Sequence, residues 1–150
     1  NFRLFASFTG NAAPISSNLE RNDTAPSLVT LGSQMSESSG IFTFPSTGIY
    51  YISFTVSSKI NGDSRFTSAQ IRATTNNSSY SVLTEGSAHI TGNSGGTTYT
   101  IAQVDQLVDI TDTSNQKVRF DIGHDSTGTT TMGNTSYDLT AMRFIRLADT

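Results

Sequence analysis

The chain has 150 residues, a formal net charge of −3 and a charged fraction of only 14%. So weakly acidic a balance lacks the basic patch that a nucleic-acid partner requires, and no apolar run approaches the length needed to cross a bilayer. There is no cysteine, which excludes a disulfide framework and thiolate chemistry.

Residues 2–8 alternate, with Phe2, Leu4, Ala6 and Phe8 on one side and Phe5 alone on the other, and predict a strand. From 9 to 25 the chain is polar, with Pro14 and Pro26 as breakers, and reads as a loop. A short strand is expected over 27–31 and a turn over 33–39. The stretch 40–57 carries the most regular pattern. Tyr50, Ile52, Phe54 and Val56 face one way, and Tyr51, Ser53, Thr55 and Ser57 the other, entered through a reversal set by Pro45 and Gly48. Asn61-Gly62 is the signal of a tight hairpin. The strand after it, 66–74, sets Ala69, Ile71 and Ala73 against Gln70, Arg72 and Thr74.

Residues 76–79 read as a turn, 80–83 as a strand, and 85–96 as a glycine-rich polar stretch with a brief strand over 88–90. A strand over 97–104 leads to a corner at Asp105 and Gln106, then to a strand over 107–111. After a turn at 112–116, residues 117–122 place Val118, Phe120 and Ile122 inside. A hydroxyl-rich loop spans 123–136 and a closing strand 137–147. No window carries a capped helical stripe. Short strands at near-regular spacing within one domain, residues 1–150, predict an all-β, two-sheet antiparallel sandwich of jelly-roll type. The domain is read as the C-terminal part of a longer chain.

Phe42, five intervening residues, then Gly48, Tyr50, Ile52 and Phe54 resemble the signature of the C1q/TNF-like jelly-roll superfamily in its C1q branch. Ile52 stands where that signature has Phe, and the positions of an upstream Asn/Asp and a further Phe fall on Thr30 and Thr24. Residues 104–108 are similar to the family's Gly-Asp-x-Val corner, with Val104 in place of Gly. The resemblance implies a jelly roll of about ten strands that assembles as a non-enzymatic homotrimer, with sites on loops or at subunit boundaries. The closing strand supports assembly independently. Ala141, Ile145 and Leu147 share one face and Met142 and Phe144 the other, and a strand apolar on both faces should be covered on both. Phe5, Met142, Phe144, Ile145 and Leu147 are therefore expected at the trimer interface, and Phe42, Gly48, Tyr50 and Phe54 in the core.

Candidate chemistry is sparse. His124 and Asp125 open the hydroxyl-rich loop, but adjacent residues cannot orient one another as a Ser-His-Asp triad requires, so no catalytic residue is expected. Asp105, Asp109, Asp112, Asp121 and Asp125 offer oxygen ligands, and calcium is the one cofactor candidate, without EF-hand spacing. Glycosylation sequons begin at Asn22, Asn76, Asn77 and Asn134. Tyr99, His124, Asp125, Met132 and Asn134 lie in or beside the polar loops 92–98 and 127–136, where hydroxyls, amides and an aromatic ring suit a sugar. Hydrophilicity carried by Ser, Thr, Gly and Asn is typical of fibres, adhesins and capsids. Together with the resemblance it points to the head of a fibre or virion-associated structural protein of phage or bacterial origin, at an extracellular or virion surface, attaching to a cell-surface glycan or protein. Three readings compete with this: an architectural capsid decoration or spike that contacts only other virion proteins, a secreted cytokine-like receptor ligand, and a carbohydrate-active enzyme, for which the sequence shows no paired catalytic carboxylates.

Overall fold

The structure, a computed structural model, describes residues 1–26 and 31–150. The expected strand over 27–31 lies, apart from Leu31, outside the described residues. Those residues form two antiparallel sheets and no helix. The strands are β1 (Phe2–Leu4), β2 (Phe8–Thr9), β3 (Leu19–Arg21), β4 (Ser36–Ser38), β5 (Ile41–Thr43), β6 (Gly48–Ile60), β7 (Ser64–Thr74), β8 (Ser81–Ile90), β9 (Thr98–Ile110), β10 (Lys117–His124), β11 (Thr130–Thr131) and β12 (Ala141–Ala148). Setting aside the two-residue strands β2 and β11 leaves ten, the number the resemblance implies.

The larger sheet is organised around β6. One edge of β6 pairs with β9 along its whole length, from Gly48 opposite Ile110 to Ile60 opposite Thr98. Its other edge pairs first with β12 and then with β11; β1 and β3 follow β12, and β2 follows β11. The smaller sheet runs β4-β5-β10-β7-β8. Strand alternation aims Tyr50, Ile52, Phe54 and Val56 from one sheet at Phe42, Ala69, Ile71, Val118, Phe120 and Ile122 from the other, and all of them are buried. Aromatic rings fill the centre: Phe42 and Phe120 meet edge to face at 5.1 Å, and Phe54 and Phe120 lie tilted at 4.9 Å. Gly86 of β8 pinches the sandwich shut along one edge. A Cβ there would come within 2.7 Å of the Gln103 carbonyl oxygen on β9.

Four local expectations are corrected. Asn61-Gly62 does not make a hairpin, because β6 and β7 belong to different sheets and the turn carries the chain across the sandwich. No corner interrupts Asp105 and Gln106; Ala102, Val104 and Ile110 are buried on one side of a single long strand, and Asp105 and Leu107 simply alternate outward. Residues 81–90 form one strand, since β7 supplies a partner along the polar stretch. The first strand breaks after Leu4, where Phe5 N–H turns to the Asn18 carbonyl.

Candidate functional site

Strand alternation that fills the core from one side of β6 leaves the other side of the larger sheet with a defined composition. Tyr51 of β6 lies between Leu107 of β9 and Ile145 of β12, and Leu147 follows at the irregularity between Arg146 and Ala148. Toward the other end, Ser57 lies opposite Ile101 and Lys59 opposite Tyr99. Leu107, Ile145 and Leu147 are 57%, 51% and 58% exposed, and Tyr99 and Ile101 are more exposed still. Between the two apolar ends runs a band of small and polar residues: Gln103, Thr55 and Ala141 in one row, Asp105, Ser53 and Arg143 in the next. Leu107, Tyr51 and Ile145 thus form one apolar row in register across three neighbouring strands.

A buried charge borders this face at β1. Arg3 is fully buried on the outer side of the larger sheet. Its guanidinium donates to Glu20 Oε1 at 2.7 Å, Asn22 Oδ1 at 2.5 Å, Asp23 Oδ1 at 2.8 Å, Thr24 Oγ1 at 3.1 Å and the Thr135 carbonyl. Asn22 in turn donates to Asp138, which also pairs with Arg143 at 2.9 Å. This network folds residues 22–24 and 135–138 over β1, so the part of the face that stays open is the part built by β12, β6 and β9.

The expected interface residues divide by strand face. Phe5, Ile145 and Leu147 are on the outer side and exposed. Met142 and Phe144 are corrected: alternation turns both into the sandwich. Met142 is fully buried, and Phe144 packs on Phe42 at 5.3 Å and Phe120 at 5.8 Å. Phe42, Gly48, Tyr50 and Phe54 are buried, and the Tyr50 hydroxyl donates to the Ser46 carbonyl at 2.9 Å. Tyr51, Ile101 and Leu107 belong to the face but were not singled out. An aromatic among Ser53, Thr55 and Ser57 was the available signal for Tyr51, and the assumed corner hid Leu107.

The proposed ligand loops do not hold together as a site. Tyr99 lies on β9 rather than in a loop. His124 is at the inward end of β10, 3% exposed, with its ring nitrogens 3.0 Å from the hydroxyls of Thr67 and Thr131. Burial pushes its pKa down to about 4. Asp125 pairs with Arg65 at 3.0 Å, and hydrogen bonds from Arg65 hold its carboxyl below the usual range. The Met132 amide donates to the Ser57 carbonyl, and Asn134 Oδ1 accepts from the amides of Ser136 and Tyr137. The remaining aspartates do not converge. Asp121 sits between Arg72 and Arg119, Asp112 caps its own turn through the amides of Ser114 and Asn115, and no group of three metal-ligating side chains comes together among the described residues. Arg146 is bound locally to Asp149 and the Thr47 carbonyl. Of the sequon asparagines, Asn22 is buried and engaged at both ends of its amide, whereas Asn77 is exposed at the β7–β8 turn.

With this geometry in hand the chain compares with solved structures. It superposes on Eiger TNF from S. frugiperda with a TM-score of 0.65 at 13% identity, over 97% of this chain and 86% of that one. It superposes on murine APRIL with a TM-score of 0.50 at 14% identity, over 78% of this chain and 80% of that one. The fold is a TNF-like jelly roll. No family model and no curated protein matches the sequence. The TNF-like likeness covers nearly the whole chain, both sheets included. At these identities it is a likeness of fold alone.

Proposed function

We propose that the protein is a non-enzymatic binding head that works as a homotrimer, with the outer face of its larger sheet buried between copies. The observation that carries this reading is the row of Leu107, Tyr51 and Ile145 across three adjacent strands, in which Leu107, Ile145 and the following Leu147 are exposed and Tyr51 is half-buried between them. A contact that repeats by rotation, placing this face once on every subunit, closes into a ring. A closed ring would also cover β9, whose free edge is otherwise a template for open-ended pairing. The resemblance of Phe42 to Phe54 to the C1q/TNF-like signature supplies the number three.

The absence of catalysis is part of the proposal. The imidazole of His124 is walled in by threonines, and Asp125 is committed to Arg65. The ligand is proposed to be a cell-surface glycan or protein met at the extracellular side, with three copies turning weak contacts into avidity. Light scattering at micromolar concentration tests the assembly: a mass of about 48 kDa, three times 16.1 kDa, supports it, and a stable monomer refutes it. A glycan array followed by cell-surface capture with the intact protein separates a sugar from a protein ligand. Failure of both leaves an architectural trimer.

A further inference from the structure

The sandwich changes character at one end. On the inward faces, Val56 of β6 gives way to Ser58, Ala102 of β9 to Thr100, Ala69 of β7 to Thr67 and Ile122 of β10 to His124, with Thr131 of β11 opposite Ser58. Ser58, Thr67, His124, Thr129 and Thr131 are all buried. This is an internal polar layer, and His124 is its one titratable member. Its ring bridges the two sheets. One nitrogen meets Thr67 on the smaller sheet and the other meets Thr131 on the larger, each at 3.0 Å, while the His124 amide donates to Asn11 Oδ1 at 2.7 Å.

We infer that His124 is an acid-operated latch that holds strands β2 and β11 to the sandwich in neutral solution and releases them in acid. The elements it holds are short. β11 pairs over two residues with β6 and two with β2. The segment is also tied by the amides of Gly10 to the Thr129 carbonyl, Met132 to the Ser57 carbonyl and Thr129 to the Ser126 carbonyl, by the reciprocal backbone pair of Ala12 and Ile122, and by the hydroxyls of Thr9 and Thr130. Two buried hydroxyls of this end, Ser58 Oγ and Thr129 Oγ1, have no hydrogen-bond partner, so its packing is already imperfect.

The charge environment offers an imidazolium no compensation. β7 and β11 face the ring with the hydroxyls of Thr67 and Thr131, and Asn11 holds the backbone N–H of His124 through its Oδ1. The nearest charges in the chain look elsewhere: Asp125 pairs with Arg65 at the surface, and Lys59 alternates to the outer face beside Tyr99. A neutral ring donates to one threonine and accepts from the other. A protonated ring donates to both, and the two hydroxyls can rotate to accept, so the hydrogen bonds survive. What does not survive is the burial of an unpaired charge, and admitting water is the relief. Burial places the ring's pKa at about 4, against 6.5 for a solvated histidine. The neutral form is thus favoured while the latch is closed, and closure weakens as the pH falls from about 6.5 through about 4.

The test is amide exchange by NMR on the intact chain between pH 7 and pH 4, corrected for intrinsic rates. The amides of Gly10, Thr129 and Met132 should lose at least about tenfold in protection, as one linked proton over a pH unit allows, and should open at a lower free energy than those of Phe54 and Ile71, which exchange only on global unfolding. In His124→Asn the loss at the three amides should disappear. Equal protection at both pH values in the wild type overturns the latch, and so does an undiminished loss in His124→Asn. Should that variant fail to fold, titration of the His124 ring in the wild type decides. A midpoint near 4 to 5, coincident with the amide changes, sustains the latch, and one of about 6 or higher removes it.

Discussion

Arg3→Met gives the sharpest test of how the open face is bounded. The substitution keeps much of the apolar stem and removes the guanidinium. Three of the acceptors left behind differ in environment. Asn22 is buried, and its unpaired Oδ1 costs about 1–3 kcal/mol. The Glu20 side chain is 27% exposed and loses a partner at 2.7 Å, whereas that of Asp23 is 74% exposed and rehydrates at little cost. Stripping one side of a buried ion pair usually costs about 3–5 kcal/mol, and the weak Asp23 contribution places Arg3→Met in the lower part of that range. Against a domain stability of about 5–15 kcal/mol this is a large fraction. Urea unfolding followed by far-UV circular dichroism should show a lower midpoint at an unchanged slope. Asp23→Ala should shift the midpoint by less than about 1 kcal/mol equivalent. If Arg3→Met comes within about 1 kcal/mol of wild type, or Asp23→Ala costs as much as Arg3→Met, the reasoning is wrong.

Neighbours on β12 should respond oppositely. Ile145→Asp is expected to yield a folded chain of monomer mass, and Phe144→Asp to unfold it by placing a charge among Phe42, Phe44 and Phe120, which light scattering with circular dichroism would distinguish. Gly133→Ala should destabilise by about 1–3 kcal/mol, because its Cβ would lie 2.7 Å from the Leu4 carbonyl oxygen; Gly96→Ala, with open space around it, is the neutral control in the same urea titration. The depressed His124 pKa also fixes a sign for global stability. Its contribution is fully present above pH 6.5 and lost as the pH falls through about 4, amounting to at most about 3 kcal/mol between those limits. Comparing unfolding midpoints of wild type and His124→Asn from pH 7 to pH 4 isolates it.

The core was legible because alternation is local. Tyr50 to Val56 and Val118 to Ile122 declare their inward faces in their own spacing, and the structure buries those faces. Sheet membership was not legible, because it depends on partners far away in the chain. Asn61-Gly62 carries the same turn chemistry whether the chain doubles back or crosses over, and only the pairing of β6 with β9 and β12 decides. The face was half legible. Ile145 and Leu147 stood out on β12, yet nothing in the sequence tells which side of a strand with apolar residues on both meets the core. That choice rests on register, which matches Met142 to Phe54 and so sends Phe144 inward as well. His124 was misread for a related reason. A histidine at the end of a strand looks like loop chemistry until the hydroxyls of Thr67 and Thr131, distant in sequence, close on it.

The place of β12 constrains how the protein comes into being. It is the last strand in chain order, yet it lies inside the larger sheet, with β1 on one side and β6 on the other. During synthesis β1 therefore has no route to β6 until residues 141–148 have left the ribosome. The emerging chain must keep Phe2, Leu4 and the β12-facing edge of β6 waiting, unpaired or on provisional partners, until residues 61–148 have been made. Pairing at such sequence separation is slow to form, and the interval is long enough for chaperone capture or for contact between neighbouring nascent chains. A chain cut before residue 141 would carry a sheet divided at its middle, where loss of a rim strand would only shorten it.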